Sequence, residues 1–80
     1  MSDEVRAFYV EALLPHVRDS HQHALDISEL AREIERDGLR DPIVVKMQGD
    51  RVIAVDDGNT RLKALALLGW TLVPVQVVRL

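Results

Sequence analysis

Apolar and polar positions alternate, cluster and repeat in six blocks along the chain. Residues 5–14 open with a strand-like run (Val5-Arg6-Ala7-Phe8-Tyr9) and pass into a short turn or helical piece that ends at Pro15. Residues 16–25 follow no clean period and read as a loop. Residues 27–37 predict the clearest helix, because Ile27, Leu30, Ala31 and Ile34 recur at helical spacing and give one apolar face. Asp26 is placed to cap that helix, with Glu29 three residues on as its capping-box partner. Glu29–Arg32 and Glu33–Arg36 fall at i,i+3 on the wet side. Gly38 supplies the stop, and Pro42 bars continuation.

Two β-branched runs, Ile43 to Met47 and Arg51 to Val55, flank Gln48-Gly49-Asp50 and predict a hairpin over 43–55 that Asp56-Asp57-Gly58 ends. Residues 60–68 predict a second helix. It is apolar almost all round apart from Arg61 and Lys63, so burial on most sides is expected. Gly69 closes it, and residues 73–78 form a last strand. Pro74 places the start of that strand at a sheet edge or at the strand entrance, since proline donates no ladder hydrogen bond. The expected fold class is α+β: a small mixed sheet with two helices in the order β-α-β-β-α-β, one domain over residues 1–80.

Composition narrows the chemistry. The 80 residues contain no cysteine, which removes disulfides, thiolate metal sites and cysteine nucleophiles together. A domain of this size buries roughly 60% of its unfolded surface, so the core is thin. Hydrophobic residues make up 48% of the chain, enough to close one core. No apolar run is long enough to span a bilayer, and the acidic start is unlike a signal peptide, so no membrane partner and a cytoplasmic location are expected.

The net charge of −3 argues against direct binding of a nucleic-acid backbone. Charge is unevenly spread, however. Residues 26–37 sum to −3, whereas residues 58–70 carry Arg61 and Lys63 without an acid.

That cationic stretch coincides with Asp57-Gly58-Asn59-Thr60-Arg61, where a strand ends, a glycine follows and a helix begins. A helix start presents unpaired N–H groups and the positive end of the dipole, where anions bind. Gly58 allows close approach of a ligand. Asn59 or Thr60 can cap the helix, and Arg61 offers a fork of donors to phosphate oxygens. The simpler alternative is an ordinary strand-to-helix junction in which Arg61 pairs with Asp56, Asp57 or another carboxylate. Asp56 and Asp57 suit capping better than metal binding or base catalysis, and no catalytic residue is assigned. His16, His21 and His23 lie within eight residues but read as exposed loop histidines, not metal ligands. Trp70 reads as a core plug in preference to a base-stacking platform.

Several blocks in order carry a family resemblance: Ile27 to Ile34, Gly38 to Val45, Asp57-Gly58-Asn59-Thr60-Arg61-Leu62-Lys63-Ala64, Leu68-Gly69 and Val73-Pro74-Val75. Together they resemble the N-terminal domain of ParB-like proteins, in the ParB/sulfiredoxin-like superfamily. In chromosome-partition members the turn reads Gly-Glu-Arg-Arg and binds a cytidine triphosphate. In sulfiredoxins it reads Gly-Cys-His-Arg, with the cysteine as nucleophile on an ATP-dependent path. Gly58 and Arg61 match both versions, whereas Asn59 and Thr60 depart from both. The missing cysteine excludes sulfiredoxin chemistry. Loss of the glutamate puts nucleotide hydrolysis in doubt and leaves at most a weak NTPase, while loss of one arginine weakens triphosphate binding. A loop block, often Asn-Pro-Arg, matches His16-Val17-Arg18-Asp19, so Arg18 stands where an arginine approaches the nucleotide.

The resemblance implies a nucleotide- or phosphate-binding regulatory module. Its ligand would be CTP or ATP with Mg2+, and its residues Asp57, Gly58, Asn59, Thr60, Arg61 and Arg18. Larger members append a helix-turn-helix DNA reader that has no counterpart in this pattern. A DNA-partition or DNA-associated role is therefore expected only through a partner chain or the rest of a longer protein. Small phage and plasmid genes also carry such domains. The alternative is a protein-interaction module with a degenerate site, binding a host protein or pairing with itself through a sheet edge near Val75, Val77 and Val78. A nuclease ranks last, since no paired carboxylates stand at a defensible spacing.

Overall fold

The computed structural model describes residues 4–17 and 24–80. Strand β1 (Glu4–Tyr9) runs into a one-turn helix α1 (Val10–Leu13) and a 3-10 turn (Leu14–His16). Helix α2 (Ala24–Asp37) follows, then strands β2 (Ile43–Gln48) and β3 (Arg51–Asp57), helix α3 (Asn59–Leu67) and strand β4 (Leu72–Arg79). The α+β class and the expected element order are present, with α1 as a small extra helix.

The four strands form one mixed sheet in the order β1-β4-β2-β3. β1 and β4 are antiparallel, as are β2 and β3, while β2 and β4 run parallel. Alternation of side chains then sorts the faces. Val73, Val75 and Val77 of β4 and Ile43, Val45 and Met47 of β2 point into the core. Leu13 of α1, Ala31 and Ile34 of α2, and Leu62, Ala64 and Leu65 of α3 cover them. Among the described residues the core holds no buried polar side chain, so burial of aliphatic area supplies most of its stabilisation.

β4 is an interior strand, so of the two places expected for Pro74 the sheet edge is excluded, and the residue stands near the entrance of the strand. Pro74 stands opposite Ala7 of β1, one residue before the parallel pairing with β2 begins at Val75. Its missing N–H therefore falls outside the β2 ladder. The pairing edge expected near Val75, Val77 and Val78 is occupied: Val75 and Val77 pair with both β1 and β2, and Val78 pairs with Lys46 of β2. The edges of the sheet are β1 and β3.

Four local expectations shift as well. α2 starts at Ala24, so Asp26 lies in its first turn and is not its cap. There its charge still complements the dipole. Arg36 turns to Asp37, at 3.1 Å, in place of Glu33. α3 packs beside α2 with Leu62, Ala64 and Leu65 buried, but Leu67 is 63% exposed, so the helix is buried on one side only. Its C-terminus closes with Gly69 N–H donating to Ala66 O and Trp70 N–H to Leu65 O, a Schellman arrangement. That motif sets Trp70 beyond the helix end, where the residue is 36% exposed, and it does not plug the core.

Candidate functional site

The site begins where β3 hands over to α3. β3 extends through Asp57, two residues further than the hairpin pattern suggests, because Asp57 still pairs with Val44. The chain then turns through Gly58 at φ +95°, ψ +22° and enters α3 at Asn59. That left-handed conformation strains any residue with a Cβ. Space forbids one too: an added Cβ would lie 2.7 Å from Ile43 Cδ1, 3.3 Å from Ile43 Cα and 3.2 Å from Arg61 Nη2. The glycine packs directly on the start of β2 and on the guanidinium.

No side chain caps α3. This corrects the expectation that Asn59 or Thr60 does so. Asn59 is the first helical residue, and its Nδ2 donates back to Val55 O at 3.4 Å. The first helical hydrogen bond is Leu62 N–H to Gly58 O at 2.8 Å, so the amides of Thr60 and Arg61 precede the ladder. They carry the partial positive charge of the helix start.

Arg61 lies across this corner with only 21% of its side chain exposed. Its Nη2 donates to Pro42 O at 3.2 Å and to Asp57 Oδ2 at 3.4 Å, and its Nη1 lies 3.8 Å from Asp41 Oδ2. Its Nε is buried without a hydrogen-bond partner. A guanidinium so held keeps its position while part of its donor capacity stays unused. The two carboxylates are on the rim, 76% exposed at Asp41 and 71% at Asp57. Asp56 belongs elsewhere, paired with Lys46 Nζ at 3.3 Å across the hairpin.

These residues line an open pocket of about 320 Å³. It brings together all five of Asp57, Gly58, Asn59, Thr60 and Arg61, with Leu30 of α2 and Asp41 on the far side. Arg18, His21 and His23 lie outside the described residues. Sequence reasoning missed Asp41, the Pro42 carbonyl and Ile43. The only signal for them was adjacency in the Asp41-Pro42-Ile43 block, and nothing local links that block to residues 58–61 until β2 and β3 pair. Among the described residues, no group of three or more His, Cys, Asp or Glu side chains could hold a metal ion. Among them, too, no helix is long and apolar enough to cross a membrane.

Comparison with known proteins places the fold. No curated protein matches the chain by sequence. The C-terminally truncated chromosome-partitioning protein ParB from Caulobacter crescentus, solved in complex with CTP-gamma-S, superposes with a TM-score of 0.75 at 25% identity, over 96% of this chain and 45% of that one. A Pnob8-like ParB-N domain superposes at 0.65 with 15% identity, over 99% of this chain and 31% of that one. This chain therefore spans less than half the length of either structure. The family model of the ParB N-terminal domain matches residues 2–80. The chain, matched almost from end to end, belongs to the ParB N-terminal domain family.

Proposed function

We propose that this domain is a nucleotide-binding module that takes the phosphates of CTP or ATP, carried with Mg2+, at the Gly58 corner. One observation carries the reading: α3 starts through a glycine that makes no side-chain cap hydrogen bond, and the Arg61 guanidinium, mostly buried, stands beside that helix start. Phosphate oxygens would accept from the first-turn amides and from Arg61, with the Thr60 hydroxyl at the mouth. Gly58 supplies the left-handed turn that opens the helix start, and Asn59 shapes the entry through its bond to Val55. Asp57 closes the rim, and Arg18 completes the proposed set. The CTP-gamma-S complex of the Caulobacter protein supports the same ligand class here.

The fit extends to the phosphates and not to a protein-held metal. With no three-ligand cluster among the described residues, Mg2+ would arrive on the nucleotide, where it neutralises phosphate charge. Both carboxylates at the corner, Asp41 and Asp57, are turned to Arg61, so the reading assigns the module binding, with at most weak turnover. Any association with DNA would run through another domain or a partner chain.

Calorimetric titration with CTP and with ATP, each with Mg2+, tests the reading. Binding is expected for at least one nucleotide, weakened roughly tenfold or more in Arg61→Ala, since hydrogen bonds to charged groups contribute about 1.5–3 kcal/mol. Absence of binding by the unaltered chain sinks it.

The sheet face turned away from the helices favours a second reading. Val5, Tyr9 and Leu72 are 66%, 62% and 51% exposed, and β1–β4 register puts Tyr9 opposite Leu72 on one surface. Exposed apolar surface of this kind suits a protein partner or a homodimer. Light scattering on the purified chain distinguishes a dimer from a monomer.

A further inference from the structure

We propose that Asp57 and Asp41 are built-in competitors for the Arg61 guanidinium, so that the corner discriminates among phosphate ligands by charge compensation. A cation-chelated polyphosphate then enters ahead of the same anion without its metal. This rests on the nucleotide reading above and adds a selection rule to it.

The geometry separates a fixed partner from two movable ones. Arg61 is held by packing and by the Pro42 carbonyl at 3.2 Å, a backbone group that cannot swing away. The carboxylates contact the same guanidinium from opposite nitrogens, Asp57 at 3.4 Å from Nη2 and Asp41 at 3.8 Å from Nη1. Both are more than two-thirds exposed, so each can rotate into water at little cost. Arg61 thus waits in a binding position with its charge already answered. An incoming bare polyphosphate must displace two carboxylates and then lie beside them, which like charges oppose. A chelated polyphosphate carries its own positive charge, so the displaced carboxylates face a partly neutralised ligand.

Asp56 does not share this role, since its carboxylate is turned to Lys46. Asp37, the last residue of α2, lies against Arg36 and Arg40 at 3.1 and 3.7 Å. The competition is therefore assigned to two named residues and not to general acidity.

The test is calorimetric titration of CTP in excess Mg2+ and in excess EDTA, on the full chain and on Asp41→Asn/Asp57→Ser. Serine at position 57 avoids an asparagine–glycine step, and melting curves confirm that the variant folds. For the unaltered chain, Mg2+ is expected to tighten binding about tenfold, the scale set by two exposed charge pairs. In the double variant the affinity for metal-free CTP is expected to rise by a similar factor, so that the Mg2+ preference largely disappears. The proposal is overturned if the variant binds metal-free CTP no more tightly than the unaltered chain, or if the unaltered chain shows no Mg2+ preference. Binding that is lost in Arg61→Ala but indifferent to both aspartates keeps the nucleotide reading and discards this one. Silence in every titration discards both.

Discussion

Replacing Gly58 by alanine perturbs the corner at its tightest point. The cost has two parts that the structure separates. Holding an L-residue at φ +95° costs about 1–2 kcal/mol. The new methyl group would also sit 2.7 Å from Ile43 Cδ1 and 3.3 Å from Ile43 Cα. Ile43 is fully buried, so neither atom has room to retreat. Overpacking of this kind costs about 1–3 kcal/mol. The sum, about 2–5 kcal/mol, is a large share of the stability of an 80-residue domain. It corresponds to a melting temperature lower by roughly 10–20 °C or more.

Gly38 supplies the control. It has φ +81° but nothing within 4 Å of an added Cβ, so Gly38→Ala carries the backbone cost alone. The contact part is isolated by a second substitution, Ile43→Val, which removes Cδ1 and by itself costs about 0.5–1.5 kcal/mol. In the double variant with Gly58→Ala, part of the clash is relieved. The two changes should then fall short of additivity by about 1 kcal/mol. The assay is chemical denaturation of the unaltered chain and the four variants, with circular dichroism as the probe. Equal losses for Gly58→Ala and Gly38→Ala, with an additive cycle, would refute the close packing of Gly58 on Ile43.

Other outcomes follow from the same geometry. Arg61→Lys keeps the charge but loses the fork, so nucleotide affinity is expected to fall between the unaltered chain and Arg61→Ala, as titration can read. Leu62 is fully buried, so Leu62→Ala is expected to cost about 3 kcal/mol. Leu67→Ala, on the exposed side of the same helix, should stay within about 0.5 kcal/mol in the same denaturation assay. Glu4 accepts from Arg79 Nε and Nη2 at 3.0 and 2.9 Å, and this hydrogen bonding holds its carboxyl below the ordinary value of 4.5. A carboxyl depressed in the folded state stabilises above its unfolded value and loses that contribution as pH falls through the folded value. Melting curves below about pH 4.5 should therefore decline more steeply for the unaltered chain than for Glu4→Gln.

Elements whose causes are local were legible in the sequence. The face of α2 and the hairpin of β2 and β3 follow from spacing within each segment, and the Gly58 junction follows from one strand-end, glycine and helix-start pattern. What depended on pairing between distant segments was not legible. Pro74 left a sheet edge and a strand entrance both open, because the rule for proline sees only its own strand. The β4 position is set by which residues of β2 it faces, and that ladder starts just after the proline. Trp70 suggested a core plug because it is large and apolar, yet the helix-closing turn from Leu65 carries it outward. Asp41 and Pro42 were invisible as site residues for a similar reason. Their link to Arg61 spans nineteen or twenty positions and exists only once the sheet has formed. The start of α2 was misplaced because a capping motif fits Asp26 while the helix begins two residues earlier.

The central claim is that phosphate oxygens meet the chain at the start of α3. An amide-resolved NMR titration with CTP and Mg2+ tests it most directly. The account predicts saturable shifts concentrated on the amides of Gly58, Asn59, Thr60 and Arg61, all lost in Arg61→Ala. Shifts confined to Val5, Tyr9 and Leu72 on the opposite sheet face, or no shifts at millimolar nucleotide, would contradict it.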